Sequence, residues 1–365
     1  MPKLAVARVR DIAEAVERIA PTPLSEEWDN SGLQVGDPAS EANRVLVALT
    51  PMDEVFEEAE EMGADFLLFH HPLIFNPLKS VNTGSYPGDL VARAVRGDLA
   101  VYAAHTSYDA APEGVSVALA EALGLRGPYE IVSPRGALHK LVIFVPEENM
   151  DAVADALAGE GAGVIGEYTH CTFRTPGTGT FLGGDATDPY LGEKGRLEKV
   201  EEIRLETVVP AHAAIRAVDA ATAAHPYEEV ALDLYPVEGH PEGCGYARVG
   251  AVPEPMTPEE LREHVTNALG FPARLVADPG HRRRVERVAV LGGSGGSFIQ
   301  EAAASGAGAY VSGDLDYHDA LLAESLGLAA IDAGHAATEL PSLTPLARRL
   351  AELVDVPVCV SQVRR

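Results

Sequence analysis

The chain alternates short apolar runs with longer segments of helical spacing. Val9, Ile12, Val16 and Ile19 recur at three- and four-residue intervals, which predicts a helix over 9–19 that Pro21 and Pro23 end. Residues 44–49 read as a buried strand and 53–62 as a helix closing at Gly63. Residues 66–69 and 99–104 are two further apolar runs of strand length. Strands alternating with helices predict a parallel or mixed sheet with helices on its faces.

Near residue 137 the pattern changes. Strands are predicted at 140–145, 164–173, 200–208 and 230–236, with helices at 147–158 and 210–224. That β-α-β-β-α-β order is the ferredoxin-like split, and it marks 138–238 as a self-contained module. Its middle strands are joined by 174–199, rich in Gly and Pro and long for a hairpin connection; such loops are commonly functional or mobile. After Gly239 the α/β pattern resumes with strands at 246–252, 285–291, 309–311 and 328–331. Thr257-Pro258-Glu259-Glu260 opens a helix with a cap, a proline and a capping-box glutamate, and 343–353 is a closing helix. The simplest organisation is one α/β domain built from 1–137 and 239–365 and interrupted by 138–238. Three domains in a row is the alternative.

Composition narrows the partners. The chain of 365 residues carries 55 acidic and 28 basic side chains, a net charge of −27, which disfavours broad nucleic-acid binding. The tightest basic patch is His281-Arg282-Arg283-Arg284. No apolar run reaches membrane-spanning length and 1–10 holds no signal-like run, so a cytoplasmic protein without a membrane span is expected. Cys171, Cys244 and Cys359 lie far apart with no C-x-x-C, which fits a reducing compartment and leaves nitrogen and oxygen as the ligands for any metal.

Four places in the flanking segments share one layout, a short strand followed at once by ligand-type residues. They are His70-His71-Pro72, His105-Thr106-Ser107-Tyr108-Asp109, Asp314 with His318, and Asp332-Ala333-Gly334-His335 with Glu339. If the strands are parallel, all four meet beyond their carboxyl ends. Pro72 ends its strand and frees His70 and His71 to diverge, while His335 and Glu339 stand one helical turn apart. Asp109 adds a carboxylate able to bridge. Five such ligands exceed the need of one open tetrahedral ion, and two ions would use them all. Mixed imidazole and carboxylate donors suit Zn, Mn or Fe.

These residues match a family. The chain resembles the GTP cyclohydrolase I type 2 homologues, also called the Nif-three-like dinuclear metal proteins. The resemblance rests on Trp28-Asp29-Asn30-Ser31-Gly32-Leu33-Gln34-Val35-Gly36, Phe69-His70-His71-Pro72-Leu73-Ile74-Phe75, His105-Thr106-Ser107-Tyr108-Asp109, Ser312-Gly313-Asp314 with His318, and Asp332-Ala333-Gly334-His335 with Glu339. His225-Pro226-Tyr227-Glu228-Glu229-Val230 resembles the PII/CutA-like insertion of the longer members. The resemblance implies a split Nif-three-like α/β domain with mixed sheets, interrupted by that ferredoxin-like α+β insertion. It implies two divalent metal ions per subunit held by His70, His71, Asp109, His335 and Glu339, and a toroidal homohexamer.

The activity it implies is that of a GTP cyclohydrolase, in which a metal-activated water opens the imidazole ring of guanine and formate leaves. His105 and His318 are then proton-shuttle candidates, with positioning of a ligand side chain as the alternative role. Asp314 shares that pair of readings. For phosphate contact the candidates are Gly292-Gly293-Ser294-Gly295-Gly296-Ser297, also readable as a tight turn, and Lys79, also readable as a solvated surface residue. Residues 28–36, with the only Trp, either rim the pocket or order a loop. The rival reading is a metal-containing regulatory ring protein that binds an effector through the middle module and lacks cyclohydrolase activity. A ring that handles nucleic acid is opposed by the charge.

Overall fold

The computed structural model describes residues 7–134, 136–166, 168–280 and 284–364; His281, Arg282 and Arg283 of the basic patch lie outside them. The chain divides into two compact units, one formed by Met1–Pro134 with Gly243–Arg365 and the other by Arg135–Glu242. Among the described residues no helix is long and apolar enough to cross a membrane.

The first unit is mixed α/β and holds two sheets. One has five strands in the order Gly32–Val35, Ala100–Ala103, Phe66–Phe69, Val45–Ala48 and Val358–Val360. Its first pair is antiparallel and the rest are parallel, with Phe69 level with Ala103. Phe66–Phe69 and Ala100–Ala103 are buried on both faces, which is why they read as unbroken apolar runs. The helix Val9–Ile19 turns Val9, Ile12, Ala15, Val16 and Ile19 into the core beneath this sheet, the face its spacing dictates.

The other sheet has six strands in the order Arg274–Ala277, Ala329–Asp332, Ala309–Gly313, Val285–Ser294, Gly245–Met256 and Arg126–Pro134. The three central strands, Ala329–Asp332, Ala309–Gly313 and Val285–Ser294, are parallel to one another. Helix Pro258–Leu269 starts on the Thr257–Glu260 capping box and stops at Gly270, whose φ of 73° suits the left-handed turn there. Arg248, only 2% exposed, donates to the carbonyls of Gly243, Gly245, Ala247, Ala111 and Pro112, and so ties 111–112 to 243–247.

The second unit is a four-stranded antiparallel sheet in the order Phe173–Leu182, Leu197–Pro210, Leu138–Val145, Leu232–Val237, packed on the helices Met150–Gly159 and Ala214–Ala224. The expected strand at 164–173 is absent. Among the described residues there, an isolated bridge between Ile165 and Tyr168 occurs, and the strand begins at Phe173. Both ends of the expected 174–199 loop are therefore strand, with Leu182 level with Leu197 and 183–196 left as the connection. An edge strand tolerates Pro176, Gly177 and Gly179 because one side needs no ladder partner, and the interleaved threonines favour the extended backbone.

Candidate metal centre

Parallel strands of both sheets in the first unit end at one place. His70 and His71 follow Phe66–Phe69, and the short helix Thr106–Asp109 follows Ala100–Ala103. His335 and Glu339 begin and end the helix that follows Ala329–Asp332. His70 Nε2 lies 3.4 Å from Glu339 Oε1 and 3.7 Å from Asp109 Oδ1. His71 Nε2 lies 3.1 Å from Glu339 Oε2, and His335 Nε2 lies 3.1 Å from Glu339 Oε1. His70 and Glu339 are buried.

The outer nitrogen of each ring is held by a neighbour. His70 Nδ1 meets the Ala104 carbonyl at 3.0 Å, and His335 Nδ1 meets the Asp314 carboxylate at 2.7 Å. A carbonyl or carboxylate oxygen only accepts, so both Nδ1 atoms carry a proton, and once Nε2 gives up its own proton each ring turns a lone pair from Nε2 toward Glu339. His71 Nδ1 meets the Thr50 hydroxyl at 2.9 Å. Asp314 reaches His335 from a backbone with φ of 55°, a left-handed conformation that Asp tolerates.

Inside the cluster, His70 Nε2, His71 Nε2, Asp109 Oδ1 and Glu339 Oε2 are buried and make no hydrogen bond. Lone pairs facing lone pairs at this spacing repel unless protons or cations lie between them. Divalent cations would satisfy such donors, so the residues present fit a metal. Among the described residues two groups have the required closeness, His70 with His71 and His105, and His71 with His335 and Glu339.

The charges agree. Burial opposes a charge on His70, yet the Glu339 and Asp109 carboxylates outweigh it and raise its pKa to about 9. Hydrogen bonding to Glu339, with help from Asp314, also raises His335 to about 9. Burial lowers His71, reinforced by the neighbouring His70. Burial pushes Asp109 up to about 6, and Glu339 adds repulsion. Burial works against the Glu339 charge as well, but His70, His335 and His71 hold its carboxyl well below the usual range.

A family model matches residues 7–365, that of Duf34/NIF3, NGG1p interacting factor 3. The chain belongs to the Duf34/NIF3 family. Similar NIF3-family relatives include proteins of Bacillus subtilis and Halalkalibacterium halodurans, each named GTP cyclohydrolase 1 type 2 homolog. The first is 41% identical over 334 residues, covering 91% of this chain and 89% of the relative. The second is 40% identical over 336 residues, covering 90% and 89%. Among solved structures, a Bacillus cereus protein related to NIF3 superposes with a TM-score of 0.85 at 40% identity, covering 99% of this chain and 98% of that one.

In this NIF3-family chain the cluster borders a cavity of about 410 Å³, also lined by Trp28, Phe75, His105 and Gly293. His105 Nδ1 bonds Asp29 Oδ1 at 2.7 Å, and Asp29 also accepts from Thr106 and Ser31. Burial opposes the Asp29 charge, but those contacts hold its carboxyl far below the usual range. Trp28, Phe75 and His105 pack with ring centroids 6.0 to 6.3 Å apart.

His318 is not brought to the cluster. It is exposed on the first turn of Tyr317–Ser325, its ring against Tyr317. Lys79 is exposed and does not line the cavity. The first half of the glycine run, Gly292 to Ser294, is the end of the strand Val285–Ser294. The Gly292 and Gly293 N–H groups already donate to Ser116 and Thr338, and the helix that follows has only six residues, which favours the tight-turn reading of this run. The pairing of Asp29 with His105 escaped the sequence reading, as did the role of Thr50. Asp29 stood in the quoted 28–36 segment, but nothing local marks its partner 76 residues away.

Proposed function

We propose that the His70, His71, Asp109, His335 and Glu339 cluster holds two divalent cations and that the chain is a metal-dependent hydrolase. GTP is the first substrate to test. The carrying observation is the set of four buried donor atoms, His70 Nε2, His71 Nε2, Asp109 Oδ1 and Glu339 Oε2, that face one another without a hydrogen bond. Bound there, Zn, Mn or Fe would supply Lewis acidity and lower the pKa of water at the site. The protein's own groups do the rest. Asp29 fixes the His105 tautomer and leaves the other ring nitrogen to exchange a proton with a substrate atom. Trp28 and Phe75 offer faces for a planar base at the cavity mouth. Asp314 orients His335. The GTP reading draws support from the names of the relatives.

Purified, metal-loaded protein given GTP should release formate. His70→Ala or Glu339→Ala should abolish turnover and metal retention while far-UV circular dichroism is unchanged. No formate from any nucleotide across Zn, Mn and Fe would remove the cyclohydrolase reading and leave the metal reading to elemental analysis.

We read Arg135–Glu242 as a ferredoxin-like, PII/CutA-like insertion, supported by its element order and fully antiparallel sheet. From the family resemblance we also propose a homohexamer in the cytoplasm. Light scattering at monomer mass would refute the assembly.

A further inference from the structure

We propose that the second unit carries its own binding site, for a small organic cation with an aromatic or aliphatic body. A cavity of about 450 Å³ lies wholly within this unit, a size suited to a small ligand. It sits on the sheet face turned away from the helices. Leu141, Ile143, Val145, Ile203 and Leu205 face the helical core, so alternation turns Phe144 and Glu202 to the opposite side. The cover comes from the 183–196 connection and the segment after His225. The Asp188 N–H bonds the Glu228 carboxylate at 2.7 Å, and the Tyr190 hydroxyl bonds Glu148 at 3.1 Å.

The chemistry of the lining selects the ligand. Four rings, Phe144, Phe181, Tyr190 and Tyr227, border the cavity, and its charged lining residues are Glu202, Glu228 and Glu229 with no Lys or Arg. Arg204 stacks on Phe144 at 5.6 Å but is held by Glu206 at 2.6 Å and does not line the space. Carboxylates beside aromatic faces attract a cation and repel phosphate or carboxylate.

Two features hold Glu202 and Tyr227 in this role. A Cβ on Gly179 would lie 2.0 Å from Glu202 Oε2, so the carboxylate rests where any larger residue would displace it. His225 Nε2 donates to the Phe144 carbonyl at 2.9 Å while its Nδ1 accepts from the Tyr227 N–H at 3.1 Å, which fixes a neutral ring and the turn that aims Tyr227. The buried Tyr227 hydroxyl lies against the Glu202 carboxylate. A protonated amine beside Glu202 would stand next to that oxygen, and its apolar body would lie among the rings.

The full-length protein should be titrated by calorimetry with phenethylammonium, tryptammonium and benzyltrimethylammonium, and in parallel with 2-phenylethanol and phenylacetate. At least one cation should bind, about tenfold or more tighter than the alcohol, with no heat from the anion. Glu202→Gln should weaken the cation about tenfold and leave the alcohol unchanged. Three results would each overturn the site: no binding by any of the three cations at millimolar concentration, equal binding of cation and alcohol, or unchanged cation binding in a folded Glu202→Gln protein. The comparison of cation with alcohol uses the unaltered chain, so it decides the matter even where the variant fails to fold. This site does not depend on the metal reading of the first unit.

Discussion

Each imidazole in the cluster acts through the atom that holds its far side. Removing Asp314 frees His335 Nδ1 without touching the inner donors, so Asp314→Ala should weaken metal affinity by about 10–100-fold, measured by competition with a chromophoric chelator. Protons and cations compete for the same lone pairs. His70 and His335, both raised to about 9, hold extra protons in the metal-free chain near neutral pH. Metal uptake should therefore release protons, seen as calorimetric heats that vary with buffer ionisation enthalpy, and affinity should rise with pH up to about 9. In the metal-free chain the same raised values contribute stability fully below 6.5, and this is lost as pH rises through about 9. The gathering of His70, His71, His335 and Glu339 was legible because each residue comes soon after a short apolar run read as a strand, and the strands prove parallel. Asp29 and Thr50 were not legible, since their partners come from contacts between distant segments.

At the scale of elements, the segments with one clear period were read closely, and so was the edge strand Leu232–Val237, but the edge strand Phe173–Leu182 was not. The helices Val9–Ile19 and Leu343–Leu353 bury the stripes that their spacing marks. Phe173–Leu182 reads as loop because Pro176 and two glycines hide a strand that its partner, not its propensity, extends. The turn Ala211–Ala213 carries a pH dependence of its own. Burial, helped by Arg216, lowers His212 to about 4 from 6.5. Between those values the unfolded chain takes up a proton that the folded one refuses, so the stability of this unit falls as pH drops from 6.5 to about 4. His212→Gln should flatten that slope in urea melts followed by circular dichroism at successive pH values.

For the whole molecule, the division into two compact units predicts separable responses to metal. A cation that binds only the folded first unit stabilises it by mass action, about 2.7 kcal/mol at a hundredfold excess over Kd. Trp28 is the only Trp and lies in that unit, so its fluorescence reports it selectively. Added Zn or Mn should raise the Trp28-detected midpoint and chelator should lower it. A component of the far-UV melt, from the second unit, should stay where it was. A shift of both signals together would mean that the units unfold as one.

The cluster draws on residues 70 to 109 and again on 335 to 339, and the strand Val358–Val360 lies beside Val45–Ala48. On the ribosome, then, His70, His71 and Asp109 emerge long before Glu339 is synthesised. The middle unit can finish folding while its host is still half made. On the proposed metal reading, cation loading would be one of the last events in biogenesis, and a nascent chain that stalls before residue 339 would display paired imidazoles without the Glu339 carboxylate that they meet.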